Sequence, residues 1–170
     1  MIQKVMTQKA REIALKVFGD QFDQFGYPHM RKLDNIAAKM EDDGCAAFAY
    51  LQDVLVNSEM TENDLINEGI SDPVAHAVEE LKMTEDEYED YLRRLVINPI
   101  IYNVILMDLY YESDLESYAD KDLNAIINSI FAKRKYQHLL SIAEEQGVIA
   151  DININTEIRE IDQNDNDNNY

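Results

Sequence analysis

Residues 46–56 read AAFAYLQDVLV, from Ala46 to Val56. Apolar side chains stand at almost every position, so no single stripe is set aside for a core. A helix of that character belongs inside a bundle, with other helices around it. Gln52 and Asp53 interrupt the run, and an amide or a carboxylate in such a place is costly unless something pairs with it. A second segment, PIIYNVILMDLYYES from Pro99, has the same character and carries Asp108. Two apolar helices with one aspartate each predict an all-α bundle and draw attention to that pair.

The rest of the chain fits around these two helices. Apolar residues at helical spacing predict a first helix over about Ile2 to Phe18, with Lys4, Lys9, Arg11 and Lys16 making it basic. The stretch GDQFDQFGYP, Gly19 to Pro28, reads as a loop packed by Phe22, Phe25 and Tyr27. A helix over about His29 to Met40 follows, and Asp42-Asp43-Gly44 separates it from the apolar one, Cys45 to about Val56. Thr61 reads as an N-cap, and Asp72-Pro73 starts a helix to about Lys82. Thr84 to Glu87, TEDE, fits a capping box for a helix ending near Ile97. Asn98-Pro99 opens the second apolar helix, and a last long one spans about Asp120 to Gln146, stopping at Gly147. The expected division is a helical domain over 1–147 and a tail over 148–170. In the tail, Ile152, Ile154 and Ile158 alternate with polar residues as an extended segment, and Asp162 onward reads as disordered.

With 170 residues, 46% of them hydrophobic, the chain is long enough for one domain with a sizeable core. Its formal net charge of −19 argues against nonspecific binding to nucleic acid or anionic membrane, which needs a basic footprint. The single cysteine, Cys45, has no internal disulfide partner and reads as a small buried hydrophobe. There is no basic-then-apolar leader and no apolar run of spanning length, so the expectation is a soluble, cytoplasmic protein.

Four pieces of the sequence stand in a telling order: FGYPHMRKLDNIA, YLQDVLVNS, TENDL and YLRRLVINPIIYNVILMDL. Over roughly Ala10 to Glu112 they resemble the HD superfamily of metal-dependent phosphohydrolases. The branch they are most similar to is the RelA/SpoT-type alarmone hydrolase domain, which removes pyrophosphate from guanosine tetraphosphate. The resemblance implies an all-α, HD-domain-like helical bundle and one metal, usually manganese, held by two histidines and two aspartates. Carried onto this chain, the first histidine position is Lys32, the His-Asp pair is Gln52-Asp53, and the last aspartate is Asp108. Both aspartates remain and both histidines are gone. An ammonium has no lone pair, and an amide is a poor transition-metal ligand.

Other positions that the resemblance makes functional have changed as well. The acidic pair that helps activate water is Val56-Asn57. The basic approach to the nucleotide is Phe18, Gln21, Asp23 and Gln24; the lysine before the last aspartate is Ile105, and the His-Asn after it is Tyr111-Glu112. No catalytic residue and no cofactor are therefore expected, and Lys32, Gln52, Asp53, Asn57 and Asp108 form a vestigial site. The sharp expectation is that Lys32 sets its ammonium between Asp53 and Asp108, with Gln52 donating a hydrogen bond to the cluster. The plain alternative is that Lys32 reaches solvent and each aspartate finds a local partner.

Three functions compete. The preferred one is a non-catalytic binding or regulatory module with a protein partner. A homo-oligomer through the tyrosine-rich C-terminal half, Tyr88 to Tyr136, is also open, because tyrosine is favoured at interfaces. The second is a metal-dependent nucleotide phosphohydrolase with an altered site, using Asp53 and Asp108 with either His29 or Asn57, and manganese if that site is still competent. The third is an acidic mimic of nucleic acid, with Glu85, Asp86, Glu87, Glu89 and Asp90 as its charge row. His76 and His138 stand alone and read as surface or interhelical residues.

Overall fold

In the computed structural model, residues 4–23, 26–82, 88–113 and 123–148 are described. They form eight helices and no strand: α1 (Val5–Phe18), α2 (His29–Ala38), α3 (Asp43–Leu51), α4 (Glu62–Asn67), α5 (Asp72–Glu80), α6 (Tyr88–Val96), α7 (Pro99–Ser113) and α8 (Leu123–Glu145). The all-α expectation holds for them. Among the described residues no helix is long and apolar enough to cross a membrane. The Thr84–Glu87 capping box, Glu85 to Glu87 of the charge row and the tail from 149 onward lie outside the described residues.

Helix α3 sits at the centre. Every residue from Cys45 to Leu51 is buried, and α3 packs against α1, α2, α5 and α7. Its small side chains make this possible: Ala46, Ala47 and Ala49 are fully buried and let neighbouring helices come close, while Phe48 and Leu51 fill the space between them. Helix α7 buries Ile101, Tyr102, Val104, Leu106 and Met107 against α3 and α8.

The start of α1 depends on a distant residue. Lys4 precedes α1 and offers no side-chain cap. The Asp43 carboxylate, at the start of α3, accepts the Met6 amide at 3.2 Å, the Thr7 amide at 2.9 Å and the Thr7 hydroxyl at 2.6 Å. One side chain from another helix thus satisfies orphan donors of the first turn. Lys4 Nζ donates to the Met40 carbonyl and closes the same corner. Elsewhere the caps are local: the Asp42 side chain accepts the Cys45 amide, and Thr61 with Asp64 forms a full capping box on α4.

The loop over 19–28 departs from expectation. Phe22 is exposed, and the loop is closed by main-chain bonds from Asp23 to Tyr27 and from His29 to Gln21. Tyr27 serves as a platform for the Arg31 guanidinium, 4.1 Å from its ring centre. Phe25 lies outside the described residues.

Candidate functional site

Asp108 and Glu112 are four residues apart on α7, so their side chains fall on one face of the helix. Helix α2 packs across that face and presents Lys32 to it. The Lys32 ammonium lies 2.6 Å from Asp108 Oδ1 and 2.8 Å from Glu112 Oε1. The contact to Glu112 is also a hydrogen bond, and that to Asp108 is a close ion pair. Lys32 and Asp108 leave less than a fifth of their side-chain surface to solvent, while Glu112 forms the outer, half-exposed rim. Next to it, Asn35 Nδ2 donates to the Tyr111 hydroxyl at 3.4 Å, a second link between the same two helices.

The electrostatics follow from too many carboxylates for one ammonium. Burial alone would depress the Lys32 pKa, but the charges of Asp108 and Glu112 overcome it and raise it above the usual lysine value. Asp108 moves up as well: burial dominates, Lys32 opposes it, and the negative charges of Glu112 and Asp53 add to the rise. Both directions express one imbalance, in which the amine is over-supplied with anions and the deepest anion is under-compensated.

The remaining expected site residues do not join this cluster. Asp53 is exposed. Helix α3 ends at Leu51, and the chain from Gln52 to Val56 runs in turns, so the inward face of the helix no longer dictates where Asp53 points. Its charge still reaches Asp108 and His29, but the second carboxylate on Lys32 is Glu112. Gln52 is buried and spends its amide on the Ala49 carbonyl at 3.3 Å, an end-of-helix bond within its own segment. Asn57 is exposed and donates to the Asp53 carbonyl at 2.8 Å.

His29 opens α2 one turn before Lys32. Its ring lies 4.7 Å from that of Phe18, and burial, followed by the charge of Lys32, lowers its pKa, so it stays neutral near neutral pH. Its Nε2 is buried without a hydrogen-bond partner. His76 is exposed between Glu62 and Glu80, each at 3.4 Å, and His138 meets Glu89 at 2.7 Å, joining α8 to α6.

These residues do not suit a transition metal. The place between the α7 carboxylates is taken by an ammonium, Asp53 faces solvent, and Gln52 is committed to its own backbone. Among the described residues no three His, Cys, Asp or Glu side chains are grouped to hold an ion. No protein-family model matches the chain, and no curated protein matches its sequence.

Two features escaped the sequence reading. Glu112 had a signal, its spacing of four from Asp108. The Arg11–Asp34–Tyr50 cluster had none: Arg11 Nε meets Asp34 Oδ1 at 2.8 Å and the Tyr50 hydroxyl meets the same oxygen at 2.6 Å, from three different helices. Burial and then the hydrogen bond to Asp34 push the Tyr50 phenol up to about 12.

Proposed function

We propose that this chain is an HD-like, non-catalytic module that works by binding a protein partner, and that Lys32 takes the structural place of the metal in that family. One observation carries the reading. The Lys32 ammonium is within 2.6 and 2.8 Å of two carboxylates on α7, where the resemblance would put an ion on Asp108. A tethered cation keeps two helices joined and needs no ion to do so. It also removes the means of activating water, since an ammonium offers no open coordination position. The motif order supports the family, and the −19 charge makes a phosphorylated nucleotide an unfavourable ligand and a basic protein surface a favourable one.

The test is metal analysis and turnover on one preparation of the purified chain. Expected are substoichiometric manganese, iron and zinc, and no pyrophosphate release from guanosine tetraphosphate with added manganese. Stoichiometric metal, or turnover that disappears in Asp108→Asn, overturns the proposal.

That second outcome is the altered-site hydrolase. His29 is what favours it: a half-buried imidazole whose pKa burial lowers and whose buried Nε2 has no hydrogen-bond partner. Among the described residues, however, no three His, Cys, Asp or Glu side chains are grouped to hold an ion.

A further inference from the structure

Helix α8 presents two opposed faces. Ser129, Ala132, Tyr136, Leu139 and Ala143 are buried on one. On the other, Leu123 (70% exposed), Ile126 (39%), Ile127 (40%), Ile130 (47%) and Phe131 (54%) stand in water. At 3.6 residues per turn these five fall within an arc of about 140°, opposite the buried set. The stripe ends at Phe131: farther along the same face Arg134, Gln137, His138 and Glu145 are exposed and polar. The outer side of α8 is therefore apolar only from Leu123 to Phe131, a length of about 12 Å.

Area is the first guide to what covers this stripe. The five exposed fractions together amount to about two and a half whole side chains. At about 150–200 Å² for a large apolar side chain, roughly 400–500 Å² of apolar surface stands in water. That is the size of the largest patch on a typical protein surface, which is often a functional one. Two copies laid face to face hide about twice as much, close to the ~1,000 Å² at which specific interfaces begin. A second copy alone thus reaches the lower end of what a self-associating surface needs.

The stripe is also its own complement. Leu123 and Phe131 stand one turn either side of Ile127, so a twofold axis crossing α8 beside Ile127 lays two stripes antiparallel and in register. Leu123 of one copy then meets Phe131 of the other, and Ile127 meets its counterpart. Charge selects this direction. Arg134 and Lys135 follow the stripe, and a parallel pair would set these cations side by side. The antiparallel pair separates each Arg134 from its counterpart by about 21 Å, well past a screening length of about 8 Å in physiological salt. It also opposes the two helix dipoles favourably. From Leu123 to Ala143 the sequence has no acid, the longest such run in a chain of net charge −19, so the copies touch where neither brings a carboxylate.

We propose that the outward face of α8, Leu123 to Phe131, is a homodimer interface in which two copies pair antiparallel about Ile127. The inference goes beyond the HD-like reading and does not depend on it: α8 packs on α6 and α7, and the Lys32 cluster joins α2 to α7. A basic partner, favoured by the acidic chain as a whole, is disfavoured at a face flanked by Arg134 and Lys135. The charge of the rest of the molecule still opposes association. Two chains of −19 repel, so the dimer is weak at low ionic strength and tightens as salt screens them. That sign separates a second copy from an acidic partner, whose contacts with Arg134 and Lys135 would weaken with salt.

Sedimentation velocity of the full chain over a range of concentration and salt tests the proposal. Expected is a reversible monomer–dimer equilibrium whose dimer fraction rises with salt. Ile127→Lys sets two ammonium groups against each other at the axis and is expected to weaken the dimer by about tenfold or more, with the helical circular dichroism unchanged. Single cysteines under a mild oxidant read the register, since the native Cys45 is buried. Ile127→Cys is expected to give a covalent dimer, and Arg134→Cys, about 21 Å from its counterpart, is expected to give none. Should Ile127→Lys lose helix, the cysteine pair decides. A chain that stays monomeric into the millimolar range overturns the proposal and leaves the face to another partner. A dimer that ignores Ile127→Lys, that weakens with salt, or that cross-links through Arg134→Cys in preference to Ile127→Cys overturns it as well.

Discussion

Lys32 and Asp34 sit two positions apart on α2 and enter two ion clusters that differ in what sets their worth. Lys32 turns toward α7, where it and Asp108 keep 19% and 18% of their side-chain surface in solvent. Asp34 turns toward α1 and α3, where it and Arg11 keep 39% and 47%. The exposed pair has the better geometry, with two parallel contacts from Arg11 at 2.8 and 3.2 Å. Geometry alone would rank it first. Burial reverses the order, because breaking a buried pair strands a charge in the interior, whereas a broken surface pair is rehydrated at once.

The largest effect is therefore expected at Lys32. Lys32→Ala leaves Asp108 beside Glu112 without a cation and should cost about 3–5 kcal/mol in urea unfolding. The same experiment sharpens the contrast when both partners are removed. Lys32→Met with Asp108→Leu should recover most of that loss, since well-packed apolar groups replace a buried pair at little net cost. A single variant that unfolds with the parent's midpoint, or a double variant no better than the single, breaks the distinction between the two clusters.

Asp43 comes next, and it tests whether an exposed-to-intermediate carboxylate gains value when it acts as a cap. Asp43→Ala removes the acceptor for the first turn of α1 and should cost about 1–2 kcal/mol. Asp43→Asn should retain part of this, because an amide oxygen still accepts from Met6 and Thr7. If Ala and Asn behave alike, the cap contributes nothing and charge alone matters. Arg11→Ala is the smallest of the three, about 0.2–1 kcal/mol, and its cost should fall further in high salt, whereas the Lys32 effect should not.

How much of this was legible depended on whether the signal was local. The apolar runs around Ala46 and Ile101 announced two central helices, and Gly147 and Asn98-Pro99 marked ends to within a few residues. Asp53 was misplaced because the apolar pattern continues through Val54 and Leu55, both buried, while the helical backbone stops at Leu51. Pattern reports burial, and burial survived the change from helix to turn; direction did not. Lys32 and Asp108 are paired by the resemblance, which makes both of them metal-ligand positions; Glu112 is not a ligand position there, and only its spacing of four from Asp108 points to it. Asp43 on α1 and Tyr50 on Asp34 are contacts between helices, and a residue's own neighbours in sequence carry no trace of them.

The two clusters also part company with pH, and the alkaline limb separates them with the least perturbation. Asp34 and Asp43 are held below the ordinary carboxylate range, in each case against burial, by the hydrogen bonds of Arg11 and Tyr50 and of Thr7 and Met6. Their contribution is present above the unfolded carboxylate pKa and is lost as pH falls through the lowered folded value. Asp108 is raised, so its share has the opposite sign and declines as pH rises through its folded pKa. On the alkaline side Lys32 and Tyr50 are both raised, and each contributes stability below its unfolded pKa that is lost as pH climbs. For Tyr50 that window runs from the ordinary phenol value of 10.0 to about 12. The urea midpoint is thus expected to fall through this range in the parent, and less steeply in Tyr50→Phe, which has no proton to lose. Lys32→Met should remove the other part of the slope. If the two variants track the parent above pH 10, neither cluster holds its proton through the contacts described, and the alkaline loss belongs to lysines and tyrosines elsewhere on the surface.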